Sequence, residues 1–201
     1  MFPLHPATTA KCAATLLGNR LSGQAFVECK TDDPTRELMT RGKLDEVVAP
    51  VVKLAMADGI EAIGYVRKHA REYDVNPNRI GIMGFSAGGT VTASVAFNYS
   101  AETRPNFVAP IYLAYNWTIK TGGIRADAPP MFILAATDDP LGLAPQSVAL
   151  YQDWTAAKKP AELHLYSKGG HGFGMRKQNL PTDHWIERFV DWLEVQGLLK
   201  K

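Results

Sequence analysis

Hydrophobic and polar positions follow two rhythms along this chain: short β-rich apolar runs, and longer stretches whose apolar residues recur three and four positions apart. The runs from Gln24 to Cys29, "RIGIMG" at 79–84, "FVAPIYLAY" at 107–115, "PPMFILAAT" at 129–137 and "AELHLYS" at 161–167 read as strands, bounded by turn-forming residues. Between them, Ile60, Ile63, Val66 and Ala70 share one helical face, and "GGTVTASVAFNY" after Gly88 predicts a second helix. Further helices are expected over 145–158 and 182–198, and an amphipathic one over 8–18, ending at Gly18. Residues 31–57 break the rhythm, with Pro50 interrupting a short helical stretch, and read as an excursion from the sheet and a candidate cap. Strands alternating with helices predict an α/β fold, a three-layer sandwich with a mostly parallel sheet of about five strands flanked by helices.

Composition narrows the function classes. A chain of 201 residues with 46% hydrophobic content can bury one substantial core, so residues 1–201 are expected to form a single domain. Lys plus Arg number 22 against 20 acidic residues, with no long run of one sign, which argues against nucleic acid or an anionic membrane as partner. Stretches such as "VVAPVV" fall far short of the ~20 apolar residues that cross a bilayer. The segment after Lys11 lacks the apolar core of a signal peptide, so the expectation is a soluble, cytoplasmic chain, or a secreted one if a longer precursor exists. Cys12 and Cys29 have no metal-binding or redox spacing and read as buried thiols; no metal or cofactor is expected.

The chemistry concentrates at Gly84-Phe85-Ser86-Ala87-Gly88, a G-x-S-x-G pattern set between a predicted strand and a predicted helix. A serine at so sharp a turn takes strained dihedrals, and the flanking glycines let strand and helix approach. That geometry lifts the hydroxyl clear of the fold and turns the Ala87 N–H toward the position of an oxyanion. A serine nucleophile needs a histidine base and an orienting carboxylate. Asp138 and Asp139 follow one later strand and His171 sits in a glycine-rich loop after the next, giving the order Ser, Asp, His. Of the other histidines, His69, His164 and His184 read as structural, and Asp183 beside His184 as a helix cap.

The segments "GIMGFSAGG", "AATDDP", "AELHLYSKGGHGFGMR" and "WIERFVDWLEVQGLL" resemble α/β-hydrolase esterases of the acetylxylan-esterase and carboxylesterase type, the xylanase-like or dienelactone-hydrolase-like group. The resemblance covers roughly residues 24 to 200. It implies a serine esterase acting on small-molecule, short-chain esters through an acyl-enzyme, with Ser86 as nucleophile, His171 as base and Asp139 as orienter. Asp138 stays open as the alternative to Asp139, because a one-residue shift in the strand end exchanges them. The same elbow and order also suit a prolyl-oligopeptidase-type peptidase, and a catalytically impaired binding module is a third reading.

Two departures from the family pattern matter. The family's His-Gly-Gly or Gly-Gly-Gly loop after an earlier strand, which supplies the second oxyanion donor, is not found in this sequence; this predicts modest activity unless another backbone or a partner subunit supplies the donor, since one such donor is worth about 10²–10³ in kcat. The matching region also begins late, as though the first three strands were absent, so β-strands flanking the gap either pair directly or leave a place for a partner. An exposed sheet edge of that kind predicts homo-oligomerisation. Phe85 beside Ser86, Tyr115 and Trp117 after a strand end, and Phe173 and Met175 flanking His171 are candidates for an acyl or alcohol pocket, with core packing as the other reading.

Overall fold

Five apolar runs become parallel neighbours because each is followed by a segment long enough to cross back over the sheet. The computed structural model describes residues 10–16, 25–31 and 44–199. Its strands are β1 (Ala10–Leu16), β2 (Ala25–Thr31), β3 (Ile80–Phe85), β4 (Val108–Ile111), β5 (Met131–Ala136) and β6 (Ala161–Tyr166). They lie side by side in chain order. Strands β3 to β6 are mutually parallel, β2 extends them in parallel from Ala25↔Ile80 to Cys29↔Gly84, and β1 adds an antiparallel edge. Of the two arrangements left open at the gap, the structure has the direct pairing, β2 on β3.

The helices are α1 (Leu44–Lys68), α2 (Ala87–Asn98), α3 (Ala144–Ala156) and α4 (Trp185–Val195). A sheet that grows in one direction through right-handed crossovers places its crossover helices on one face. Accordingly Ile63 and Val66 of α1, Val91 and Val95 of α2, and Leu150 and Trp154 of α3 pack with Ile80, Ile82, Val108, Met131 and Ile133. The alternate strand residues, Ala109, Ile111, Phe132 and Leu134, face the other way and meet Trp185, Phe189, Trp192 and Leu193 of α4. Period-2 alternation thus separates two apolar layers and yields the expected three-layer sandwich.

Four expectations are corrected. Residues 10–16, read as part of a helix over 8–18, form β1, paired from Ala10↔Thr31 to Leu16↔Ala25. "AKCAATL" offers one charge and no polar face to a helix, so its pairing with β2 prevails over local propensity. The second half of the supposed excursion at 31–57 is the start of α1, which runs through Pro50. Pro50 is exposed and its lost hydrogen bond costs about 3 kcal/mol. The buried stripe Val48, Val52, Ala55, Met56, Ile63 and Val66, at about 1.5–3 kcal/mol for each large side chain, outweighs it. Residues 32–43 lie outside the described residues. The last helix is shorter than expected, because Pro181–His184 forms a 3-10 turn before it and Asp183 accepts from the Gln178 and Asn179 amides rather than capping the helix.

Among the described residues, no helix is long and apolar enough to cross a membrane.

Candidate active site

The C-terminal ends of β3, β5 and β6 lie at the same end of the sheet, and the segments that follow them bring Ser86, Asp139 and His171 together there. Ser86 follows β3 directly and opens α2, with φ 55° and ψ −119°. Such a backbone is held only by its surroundings: the Ser86 N–H donates to the Ile111 carbonyl at 2.9 Å, and the Ser86 carbonyl accepts from Thr90 at 3.1 Å. Gly84 permits the turn, since a Cβ there would overlap the Gly88 carbonyl and stand 2.8 Å from Thr92 Oγ1. Because two of those neighbours are main-chain atoms of α2, they cannot yield as a flexible side chain does. Gly84→Ala is therefore expected to destabilise the fold by about 3 kcal/mol, lowering the unfolding midpoint by roughly 6–12 °C in calorimetry.

The serine hydroxyl meets His171 Nε2 at 2.8 Å, and His171 Nδ1 meets Asp139 Oδ2 at 2.9 Å. The Asp139 side chain is fully buried and that of His171 is 21% exposed, so the chain of bonds runs from the interior to the surface. A carboxylate only accepts, which places the imidazole proton on Nδ1 and leaves Nε2 to accept from the serine. The second carboxylate oxygen of Asp139 accepts from the Leu141 N–H at 2.8 Å, fixing the plane of the acid. As the first residue of α2, Ala87 has an N–H without an intrahelical acceptor, at the positive end of the helix. The arrangement can deprotonate a hydroxyl, hold a positive charge on the imidazole and receive a negative one beside Ala87.

The two candidate aspartates separate cleanly. Asp139 is the residue bonded to His171, whereas Asp138 is exposed and its Oδ1 accepts from the Gly170 N–H at 2.8 Å. The other histidines among the described residues are occupied elsewhere: His164 with Glu162, His184 with Glu187, and His69 stacked on Tyr65.

The pocket candidates divide. Phe85 is half-buried beside Ser86, with its ring 5.9 Å from Tyr112 and 6.1 Å from Trp185. Phe173 is completely buried beneath the His171 loop and belongs to the core under α4, which makes it support for the loop rather than lining. Tyr115 is also core: it is buried and donates to Asp153 late in α3, and Lys120 sits over its ring. Trp117 is half-buried in the same 3-10 turn. Met175, by contrast, is 64% exposed in the His171 loop, and Leu141 is 42% exposed just after Asp139.

One residue of the site escapes a sequence reading. Tyr112, one position past β4, has φ 39° and lies with its ring 5.0 Å from His171 and 4.9 Å from Phe173. Burial pushes its hydroxyl up to about 12, so it stays neutral beside the imidazole. Its place at the end of the strand next to the one that leads into Ser86 is the signal that could have singled it out, because ligands gather at such strand ends.

Parts of this chain are similar to known proteins. The BD-FAE family model matches residues 43–112, the stretch from α1 through the elbow to Tyr112. An acetylxylan esterase of Xylanibacter ruminicola is 26% identical over 170 residues, covering 70% of this chain and 35% of its own length, so the chain spans about a third of that relative. A sugar hydrolase from Lactococcus lactis superposes with a TM-score of 0.70 at 19% identity, over 98% of each chain. Esterase 2 of Thermogutta terrifontis, phosphoramylated by tabun, superposes with a TM-score of 0.64 at 24% identity, over 75% of this chain and 67% of its own.

Proposed function

We propose that this chain, whose fold is that of the α/β-hydrolases, is a serine esterase that hydrolyses short-chain carboxylic esters through an acyl-enzyme. The observation that carries the reading is the unbroken hydrogen-bond chain from Ser86 Oγ through His171 to buried Asp139, mounted on a strained strand-to-helix turn. Strain of this kind, on the order of 1–3 kcal/mol, persists where the surroundings enforce it, and it clusters at reactive residues. Similarity to an acetylxylan esterase and to an esterase modified by tabun supports the same class of chemistry.

His171 Nε2 takes the Ser86 proton as Oγ bonds to the ester carbonyl carbon. The carbonyl oxygen becomes an oxyanion beside the Ala87 N–H, and Asp139 stabilises the imidazolium. Collapse of this intermediate breaks the carbon–oxygen bond to the alcohol, which leaves with the proton held by His171. Water then gives a proton to His171 while its oxygen attacks the acyl carbon, and Ser86 leaves with that proton as the carboxylic acid is released. Half-buried Phe85 precedes Ser86, exposed Leu141 follows Asp139 and exposed Met175 lies in the His171 loop, side chains that suit small apolar acyl or alcohol groups.

Side-by-side assay of p-nitrophenyl acetate and a dipeptide p-nitroanilide is the direct test. Turnover of the ester, with the amide slower or untouched, is the expected result. A folded sample that leaves the ester at its buffer rate would defeat the reading, and preference for the amide would reassign the site to a peptidase.

A further inference from the structure

We propose that Asp138 is a positioning residue: by accepting from the Gly170 N–H it sets the height and facing of His171. The inference rests on His171 acting as the base. Asp138 and Asp139 are adjacent at the end of β5, so their side chains diverge, and each takes hold of one of two consecutive residues in the loop after β6. Asp139 grips the imidazole of His171, and Asp138 grips the amide immediately before it, at 2.8 Å.

The loop needs that second hold. Gly170 and Gly172 flank His171 with φ of 68° and 73°, and both have open space where a Cβ would stand. Glycines in this region rotate with little steric resistance, so packing does not fix the backbone on either side of the histidine. Other ties act further out: Gln178 donates to the Gly169 carbonyl at 3.3 Å, and Arg176 donates to the Gly172 carbonyl at 2.8 Å. Tyr112 supports the ring by edge contact. Catalytic groups must be held to within about half an ångström, and a displacement near 1 Å can cost about 10²-fold.

The role is geometric rather than electrostatic, which the choice of variants exposes. Asp138→Asn keeps the acceptor oxygen and removes the charge; Asp138→Ala removes both. Two readouts are taken on each: hydrogen exchange of the Gly170 amide, and kcat for p-nitrophenyl acetate per active site titrated with a fluorophosphonate. Asp138→Ala is expected to speed Gly170 exchange about tenfold and lower kcat roughly 10- to 100-fold, with KM within about twofold. Asp138→Asn should remain within about threefold of the parent in both. Unchanged Gly170 exchange in Asp138→Ala, or an Asp138→Asn protein as impaired as Asp138→Ala, would overturn the proposal. If no protein hydrolyses the ester while Gly170 exchange follows the expected pattern, the clamp is supported and the esterase reading alone falls.

Discussion

Replacing Ser86 with alanine is expected to lower ester turnover by about 10⁶-fold, to the floor of the assay, and to abolish labelling by a fluorophosphonate probe. The size follows from the arrangement: Ser86 Oγ is the atom to which His171 Nε2 is bonded, and without it the imidazole has nothing to activate but water. The fold should not change. Alanine accepts the same strained φ of 55° that serine does, and the main-chain bond from residue 86 to the Ile111 carbonyl is unaffected. The unfolding midpoint should therefore match the parent, whereas Ser86→Gly, which relieves the strain, should raise it by a few degrees. Retained turnover in a Ser86→Ala sample with native melting would remove Ser86 from the mechanism.

What the sequence makes legible here follows the strength of its local signals. The glycines around Ser86 have one physical use, so the elbow and its strand-to-helix setting are plain from the amino-acid pattern itself. His171 stands out because a histidine among glycines after a parallel strand has few structural duties. The parallel core is equally plain, since Ile80, Ile82, Met131 and Ile133 alternate with residues facing α4. The sequence is weaker where tertiary pairing decides. The run at 10–16 is neither strongly helical nor strongly extended, and β2 settles it. Pro50 reads as a break because its cost is local, while the stripe that carries α1 past it is spread over several turns.

The aromatic residues show the same limit at the site. Tyr115 and Phe173 follow the strand ends where a pocket is expected, yet both rings turn into the core, and one hydroxyl bond to Asp153 on a different element fixes the former. Tyr112 lies three residues before Tyr115 in the chain and is the one whose ring contacts His171. Which of several adjacent side chains points at the imidazole depends on the φ of 39° at Tyr112, and a linear pattern of apolar letters does not encode it. The neighbouring aspartates pose the same problem one residue apart, and chemistry distinguishes them.

Asp139→Asn is expected to lower kcat by about 10⁴-fold near neutral pH while leaving the fold and KM close to the parent. Asp139 Oδ1 accepts from the Leu141 N–H, so the asparagine carbonyl is held in that position and its NH₂ group is turned toward His171. A donor now faces Nδ1, which must become the acceptor, and the imidazole proton moves to Nε2. Nε2–H points at Ser86 Oγ and cannot take its proton, so the site keeps its shape and loses its base. Nitrogen NMR of the labelled imidazole reads this exchange directly, as Nδ1–H in the parent and Nε2–H in the variant. The contrast with Asp138→Asn is the decisive comparison, because both substitutions remove one negative charge from adjacent positions. A loss of less than tenfold in Asp139→Asn would mean that the tautomer does not matter, and an equal loss in both variants would mean that charge near the loop, not the tautomer, sets the rate.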